Sequence, residues 1–190
     1  MKLQLSEITE IKSGYLFKTG FPAETAGNIS VIQLKDVDNN GILHEEGIQK
    51  IIADNISPEY YVKKGDILFK AKTNRPASAV VTADITATIA TAHYFIIRIT
   101  TSDMLPGYLS WYLNQRKAQM YFAKNAGGTR IQVITKQLLG NLEVIAPALP
   151  IQEKIVKINW LLLRENQISD LLKEKKQKFI TSQLCEFIKA

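Results

Sequence analysis

The chain has 190 residues, 46% of them hydrophobic, which is enough apolar material for one domain with a sizeable core and argues against disorder. The formal net charge of +6 favours polyanionic partners, although many basic proteins bind no nucleic acid. The single cysteine, Cys185, excludes an intramolecular disulfide and a cysteine-based zinc site, and no apolar run is long enough to span a membrane. The residues after Met1 turn polar too early for a signal peptide, so we expect a cytoplasmic protein.

The first part of the sequence alternates runs rich in β-branched residues with turn signals. We predict strands over residues 5–15 and 28–34, followed by a tight turn at Asn39-Asn40-Gly41. Residues 48–52 then continue the sheet. Ser57-Pro58-Glu59 predicts the start of a short helix, because proline fits the first helical turn and glutamate complements the positive end of the helix dipole.

The middle of the sequence predicts further strands over residues 67–69, 79–82 and 92–100. After Pro106 the apolar period becomes that of an amphipathic helix, which ends near Gly127-Gly128. Its apolar stripe comprises Leu109, Leu113 and Met120, with Tyr108 and Tyr112 beside them.

Two short elements precede a change of composition at Pro147. Thr135 is placed to cap a short helix that Gly140 ends, and residues 142–146 form the last strand. Together these patterns predict an α+β fold, in which a β-rich domain with short helices covers residues 1–148.

A long helix is predicted after this domain. Pro150 suits a first helical turn, and no glycine or proline follows before about Phe179, so we expect roughly 30 helical residues spanning about 45 Å. Apolar residues recur at coiled-coil spacing along it, and they cannot all be buried on one compact domain. We therefore predict that this arm, residues 149–190, binds a partner helix. The candidate interface residues are Ile151, Ile155, Ile158, Leu162, Ile168 and Leu172.

Signatures of catalysis are scarce in the sequence. Gly127-Gly128-Thr129-Arg130 lacks the Gly-Lys-Ser/Thr ending of a phosphate-binding P-loop. His44 and His93 are the only histidines, so the sequence offers few ligands for a metal site and few bases for a catalytic triad. We interpret His93 as a core residue. Asp66 and the lysines after it resemble a nuclease cluster, but a matching second acidic position is missing. We expect no catalysis, no metal and no cofactor in this chain.

Four stretches of the sequence, spread over nearly its whole length, carry the likeness to a known family. They are Leu5-Ser6-Glu7-Ile8-Thr9-Glu10-Ile11-Lys12-Ser13-Gly14, then Ile32-Gln33-Leu34-Lys35-Asp36-Val37, then Val62-Lys63-Lys64-Gly65-Asp66-Ile67-Leu68-Phe69, and finally Gly127-Gly128-Thr129-Arg130 with residues 138–147 and Leu149-Pro150-Ile151-Gln152-Glu153-Lys154-Ile155. On these motifs the chain resembles the DNA specificity subunit of type I restriction–modification systems.

The resemblance implies a target-recognition domain over residues 1–148 and an arm for dimerisation and subunit docking over residues 149–190. Members of the family usually carry two such domains, each followed by a helix. The two helices pack antiparallel, and each domain recognises half of a bipartite site on double-stranded DNA. Separate modification (methyltransferase) and restriction subunits perform the chemistry, and S-adenosylmethionine belongs to the modification subunit.

The sequence departs from this pattern, because it has one domain and one helix. It therefore acts as a homodimer, pairs with another half, or is a truncated remnant. The exposed apolar stripe favours the homodimer, and a twofold-symmetric pair would recognise an interrupted palindrome.

Two stretches are rich in the side chains that DNA recognition needs. Bases are recognised by two-pronged hydrogen bonds, and phosphates by cations, hydroxyls and free amides. We predict that Asn74 and Arg75 contact bases while Lys70 and Lys72 contact the backbone. The full set of candidates is Lys18, Thr19, Lys70, Lys72, Thr73, Asn74, Arg75, Thr129, Arg130 and Gln132. The ordinary alternatives are a solvated basic loop at 70–75 and a helix C-cap with an ion-paired arginine at 127–132.

Two other functional hypotheses stay open at this point. The chain could be a regulator that binds the modification subunit without recognising DNA. It could also be a small enzyme acting on nucleic acid. The lack of a set of metal ligands in the sequence argues against this second hypothesis.

Overall fold

The structure of the chain is a computed structural model that describes residues 2–17, 27–127 and 131–189, apart from the side chain of Lys189. The chain divides into two units, Met1–Glu153 and Lys154–Ala190. The strands are β1 (Lys2–Gln4), β2 (Thr9–Ser13), β3 (Ile29–Ile32), β4 (Gln49–Ile51), β5 (Ile67–Lys70), β6 (Lys72–Thr73), β7 (Ser78–Val80), β8 (Thr88–Ala90), β9 (Tyr94–Ile99), β10 (Gln132–Val133) and β11 (Glu143–Ile145). The α-helices are α1 (Leu5–Ile8), α2 (Pro106–Asn114), α3 (Arg116–Asn125), α4 (Lys136–Gly140) and α5 (Leu149–Lys189).

Two sheets and two strand pairs organise the first unit. A four-stranded antiparallel sheet has the order β2-β9-β5-β7, and a three-stranded sheet has the order β4-β3-β8, in which β3 and β8 run parallel. The pairs are β1–β11 and β6–β10. A core cluster of Ile32, Leu68, Ile96 and neighbouring apolar residues connects the two sheets. This β-rich unit with short helices, together with the long helix α5, confirms the predicted α+β fold.

The predicted strand over residues 5–15 is only half right. Leu5–Ile8 forms a helical turn, because the Glu7 carboxylate accepts a hydrogen bond of 2.8 Å from the Gln4 backbone N–H and the turn buries Leu5 and Ile8. The strand then covers Thr9–Ser13. The predicted short helix after Ser57 is a single 3₁₀ turn, Pro58–Tyr60.

The turn predicted at Asn39-Asn40-Gly41 is confirmed. Asp38 Oδ1 accepts hydrogen bonds of 2.9 Å from the backbone N–H groups of Asn40 and Ile42, and Gly41 adopts a φ of 80°. A Cβ at Gly41 would also lie 2.4 Å from the Ser78 carbonyl oxygen. Both facts require glycine at this position.

The single helix predicted after Pro106 is two helices, α2 and α3, separated at Gln115. The side-chain amides of Gln115 and Gln119 donate to the carbonyls of Trp111 (3.0 Å) and Leu113 (2.8 Å), which satisfies the C-terminal end of α2. Met120 was predicted in the buried stripe but is 59% exposed, because α3 buries Ala118 and Phe122 instead.

A buried ion pair fixes the register of β5 against β9. The Asp66 carboxylate is 2% exposed and accepts hydrogen bonds from Arg98 Nε (2.8 Å) and Nη2 (2.7 Å). It also accepts one from the backbone N–H of Lys63 (2.8 Å). Hydrogen bonding to Asp66 raises the pKa of the Arg98 guanidinium. Although the Asp66 carboxylate is buried, this bidentate contact supplies it with an opposite charge and with hydrogen-bond donors.

A buried glutamine holds the first turn of α5 in the first unit. Gln152 is completely buried, its Oε1 accepts from the backbone N–H of Leu105 (2.9 Å), and its Nε2 donates to the carbonyls of Asp103 and Pro147 (both 2.8 Å). One side chain therefore satisfies three backbone groups that burial would otherwise leave unpaired.

The second unit is helical from Lys154 to Lys189. Helix α5 has 41 residues and is about 60 Å long, so the predicted end near Phe179 is wrong: no glycine or proline stops the helix there. The side chains of Ile158, Leu162, Ile168 and Leu172 are each more than half exposed. No helix in the described part of the chain is long and apolar enough to cross a membrane.

The Asp66–Arg98 and Asp84–Lys64 ion pairs differ in burial, so they should contribute differently to stability. Asp66→Ala removes the buried carboxylate that accepts from the half-buried Arg98 guanidinium and from the Lys63 N–H, and should lower the free energy of unfolding by about 2 kcal/mol. Asp84→Ala removes an exposed 2.8 Å ion pair with Lys64 and should lower it by less than about 1 kcal/mol. Urea denaturation of the two variants measures both values, and equal losses would contradict the role given to Asp66.

Candidate nucleic-acid interface

The candidate site lies at one end of the four-stranded sheet. Strand β2 ends there at Ser13, opposite Phe95, and β5 ends there at Lys70, opposite Tyr94 at the start of β9. The chain continues from β5 through Ala71 directly into β6. Any segment that pairs with β6 is therefore brought to this end of the sheet.

The segment that pairs with β6 is β10. Thr73 lies opposite Gln132 and Lys72 opposite Val133 in an antiparallel pair. The Ile134 N–H donates to the Ala71 carbonyl over 2.9 Å and continues the pairing. We call this pair of strands, with the bend at Asn74 and Arg75, the ribbon. Lys72, Thr73 and Gln132, which belong to two stretches predicted separately as DNA-binding, thus lie together in one structure.

The ribbon presents its polar side chains at the surface. Lys72, Asn74 and Arg75 are exposed, and Thr73 and Gln132 are half-buried. The Arg75 backbone N–H donates to Thr73 Oγ1 over 3.4 Å, so the bend is held by a backbone contact rather than by the guanidinium. Chemically, the ribbon offers amide, guanidinium and ammonium donors rather than nucleophiles or acid–base pairs.

Lys70 does not share this surface. Its side chain is buried and its Nζ donates to the Val37 carbonyl oxygen. Burial lowers the pKa of the ammonium, and the charge of Asp38 opposes that shift. The predicted phosphate contact does not fit this placement, because the donor is already used inside the domain.

Other predicted residues have different outcomes. Lys18, Thr19, Thr129 and Arg130 lie outside the described residues. His93 was interpreted as a core residue, but its side chain is exposed, and its backbone carbonyl accepts from the Ala71 N–H over 2.8 Å. Among the described residues, no group of three or more His, Cys, Asp or Glu side chains could hold a metal ion.

Sequence reasoning missed two lysines near the ribbon. Lys12 and Lys136 line the same cleft as Lys72, at the end of the sheet where the ribbon begins. No local pattern marks them, since positions 12, 72 and 136 come together only through the pairing of β2 with β9 and of β6 with β10.

The sequence matches one known protein family over nearly its whole length. The sequence model of the type I restriction modification DNA specificity domain matches residues 1–182. The chain belongs to this family. A comparison with curated proteins finds no significant match.

Three solved structures share the fold of this specificity domain. The S subunit of a type I restriction–modification system from M. genitalium is 14% identical, with a TM-score of 0.59 over 91% of this chain and 41% of that chain. A chain from a study of complex assembly and conformational transition of the type I system is 17% identical, with a TM-score of 0.60 over 87% and 38%. The HsdS subunit from Thermoanaerobacter tengcongensis is 19% identical, with a TM-score of 0.63 over 90% and 44%. The specificity domain thus spans about two fifths of the length of these chains.

The burial of Lys70 predicts a pH dependence of stability. Because its pKa in the folded domain lies below the 10.5 of an exposed lysine, the unfolded chain binds the proton more tightly. Stability therefore rises with pH between the lowered pKa and 10.5. Lys70→Met removes this titration, so the unfolding free energy of wild type minus that of the variant should increase as the pH rises toward 10.5.

Chemical denaturation at several pH values measures this difference. The matched control is Lys72→Met, which removes an exposed lysine two residues away; a rise with pH that this variant does not share is specific to Lys70. A Lys70 difference that decreases with pH would show that the surroundings favour the ammonium.

Proposed function

We propose that the chain recognises DNA sequence as the specificity component of a type I restriction–modification complex. The observation that carries the proposal is the ribbon, which places Gln132 beside Lys72 and Thr73, next to the bend at Asn74 and Arg75, in a member of the specificity-domain family. A two-stranded β-ribbon fits the major groove of B-DNA, where each base pair has a distinct pattern of donors and acceptors.

Within the ribbon, Arg75 and Asn74 are the proposed base-contacting residues. Arginine binds guanine through two parallel hydrogen bonds, and asparagine binds adenine in the same way. Both side chains are exposed, and within the described residues no ion pair occupies the Arg75 guanidinium. Thr73 and Gln132 lie opposite one another beside them; both are half-buried, and the Gln132 Oε1 is buried.

The exposed stripe of α5 supports the proposal of a homodimer. Exposed Ile and Leu side chains at coiled-coil spacing favour a second helix as partner. A twofold-symmetric pair presents two identical ribbons, so the proposed site is an interrupted palindrome on double-stranded DNA. A modification subunit, with a restriction subunit where one is present, would carry out the chemistry in the cytoplasm, and this chain would have no catalytic role.

Selection from randomised duplexes tests DNA recognition. Purified protein, alone and with its modification subunit, should retain one motif of two inverted half-sites at fixed spacing. Arg75→Ala should weaken binding to the selected duplex by about 1–3 kcal/mol and relax the preference at one base pair of each half-site.

The control for this experiment is Lys64→Ala. Lys64 is exposed and precedes β5, at the opposite end of that strand from the ribbon, so its loss should leave the preference unchanged. Failure to enrich any sequence, even with the modification subunit, would refute the proposal and favour a regulator. A single asymmetric half-site would refute only the symmetric dimer.

Replacement of stripe residues tests the dimer. Ile158→Asp with Leu162→Asp should give a folded monomer, because two carboxylates in a helix–helix interface lose their hydration without gaining partners. Light scattering measures the mass, and circular dichroism shows that the helix persists.

The matched control is Gln167→Asp with Thr181→Asp. It adds the same charge to polar positions on the opposite side of the same helix from Ile158 and Leu162, and should leave the dimer intact. An unchanged dimer in the Ile158/Leu162 variant would mean that the interface lies elsewhere.

A further inference from the structure

A cleft beside the ribbon collects lysines from three distant parts of the sequence. Its volume is about 540 Å³, and its lining includes Lys12 from β2, Lys72 from β6 and Lys136 from the start of α4. Glu59 supplies opposite charge to the same lining. Apolar side chains such as Ile134 form other parts of the wall, and walls of low dielectric strengthen the field of a charged cleft.

The three ammonium groups are not equally available. Lys72 and Lys136 are exposed, and within the described residues no ion pair engages either of them. Lys12 is 31% exposed, and its Nζ lies 3.1 Å from Glu10 Oε1. Any anion entering the cleft therefore competes with Glu10 for Lys12, but meets free charges on the other two lysines.

The position of Lys136 is not explained by the stability of its own helix. It is the first residue of α4, where a positive charge opposes the helix dipole, and the N-terminal cap is already supplied by Thr135 Oγ1, which accepts from the Leu138 N–H over 3.1 Å. Lys136 therefore lies in the lining of the cleft although its positive charge does not stabilise helix α4.

We propose that this lysine cleft binds the DNA phosphates that flank the base pairs contacted by the ribbon. The inference rests on the proposed function and adds a second task, phosphate binding, to Lys72 together with Lys12 and Lys136. Phosphate contacts fix the register of a protein on DNA but carry no sequence information themselves. Lys72 belongs to both the ribbon and the cleft, so the two surfaces are continuous. A DNA strand bound in the cleft would therefore continue to Asn74 and Arg75.

The dependence of binding on salt concentration tests the cleft. Each phosphate contact contributes about 0.9 to the slope of log K against log salt concentration. Lys136→Gln and Lys72→Gln should each reduce that slope by about one and weaken binding to selected and scrambled duplexes by the same factor. Lys12→Gln should have a smaller effect, since Glu10 already competes for this ammonium. Fluorescence anisotropy with labelled duplexes measures the slopes.

Two variants sharpen this experiment. Glu59→Gln removes the opposing charge from the cleft and should strengthen binding to both duplexes, a gain that a merely destabilised protein would not show. Lys136→Arg keeps the positive charge and should retain the wild-type slope. Lys64→Gln, at the opposite end of β5, is the control for a general loss of positive charge.

The outcomes separate the two proposals. Wild-type protein that binds no duplex would overturn the proposed function and the cleft with it. Wild-type protein that binds, with slopes unchanged in both Lys136→Gln and Lys72→Gln, would overturn the cleft while leaving sequence recognition by the ribbon in place.

Discussion

The ion pair between Asp66 and Arg98 is the contact on which the position of the candidate site depends. It joins the residue before β5 to a residue of β9 and thereby fixes which residues of these central strands face each other. A slip of one residue would exchange the two faces of β5, whose apolar side chains are all buried. It would also move Lys72 and the bend that follows. The geometry of the ribbon is therefore set by a buried pair at the far end of the same strand.

Local signals in the sequence predicted local structure well. The turn at Asn39-Asn40-Gly41, the cap at Thr135 and the helix beginning near Pro150 are confirmed, because each depends on residues within a few positions of one another. The pairing of Thr73 with Gln132 could not be predicted in this way, since it depends on the register of other strands. The burial of Lys70 could not be predicted for the same reason, because only the tertiary structure shows that its ammonium donates to the Val37 carbonyl.

Polar side chains that are partly or fully buried explain other differences between pattern and structure. Asn114 ends α2 by donating to the Ser78 carbonyl and accepting from the Ser78 N–H, both over 2.8 Å. Gln152 fastens the first turn of α5 through three backbone groups. Amphipathic periodicity assigns such residues to the solvent side, yet here they supply hydrogen bonds that the backbone needs. The break between α2 and α3 follows from this chemistry rather than from any helix-breaking residue.

The bend of the ribbon at Asn74 and Arg75 does not line the lysine cleft, and this bears on how specificity can change. Asn74 and Arg75 are exposed on a bend outside the apolar core, so their replacement costs little folding energy, about 0.5 kcal/mol or less for surface positions of this kind. The cleft lysines lie on elements whose placement depends on the sheet, and their contacts are independent of base sequence. If the ribbon recognises bases and the cleft holds phosphates, new target sequences can arise at the bend while the affinity contributed by the backbone contacts is retained.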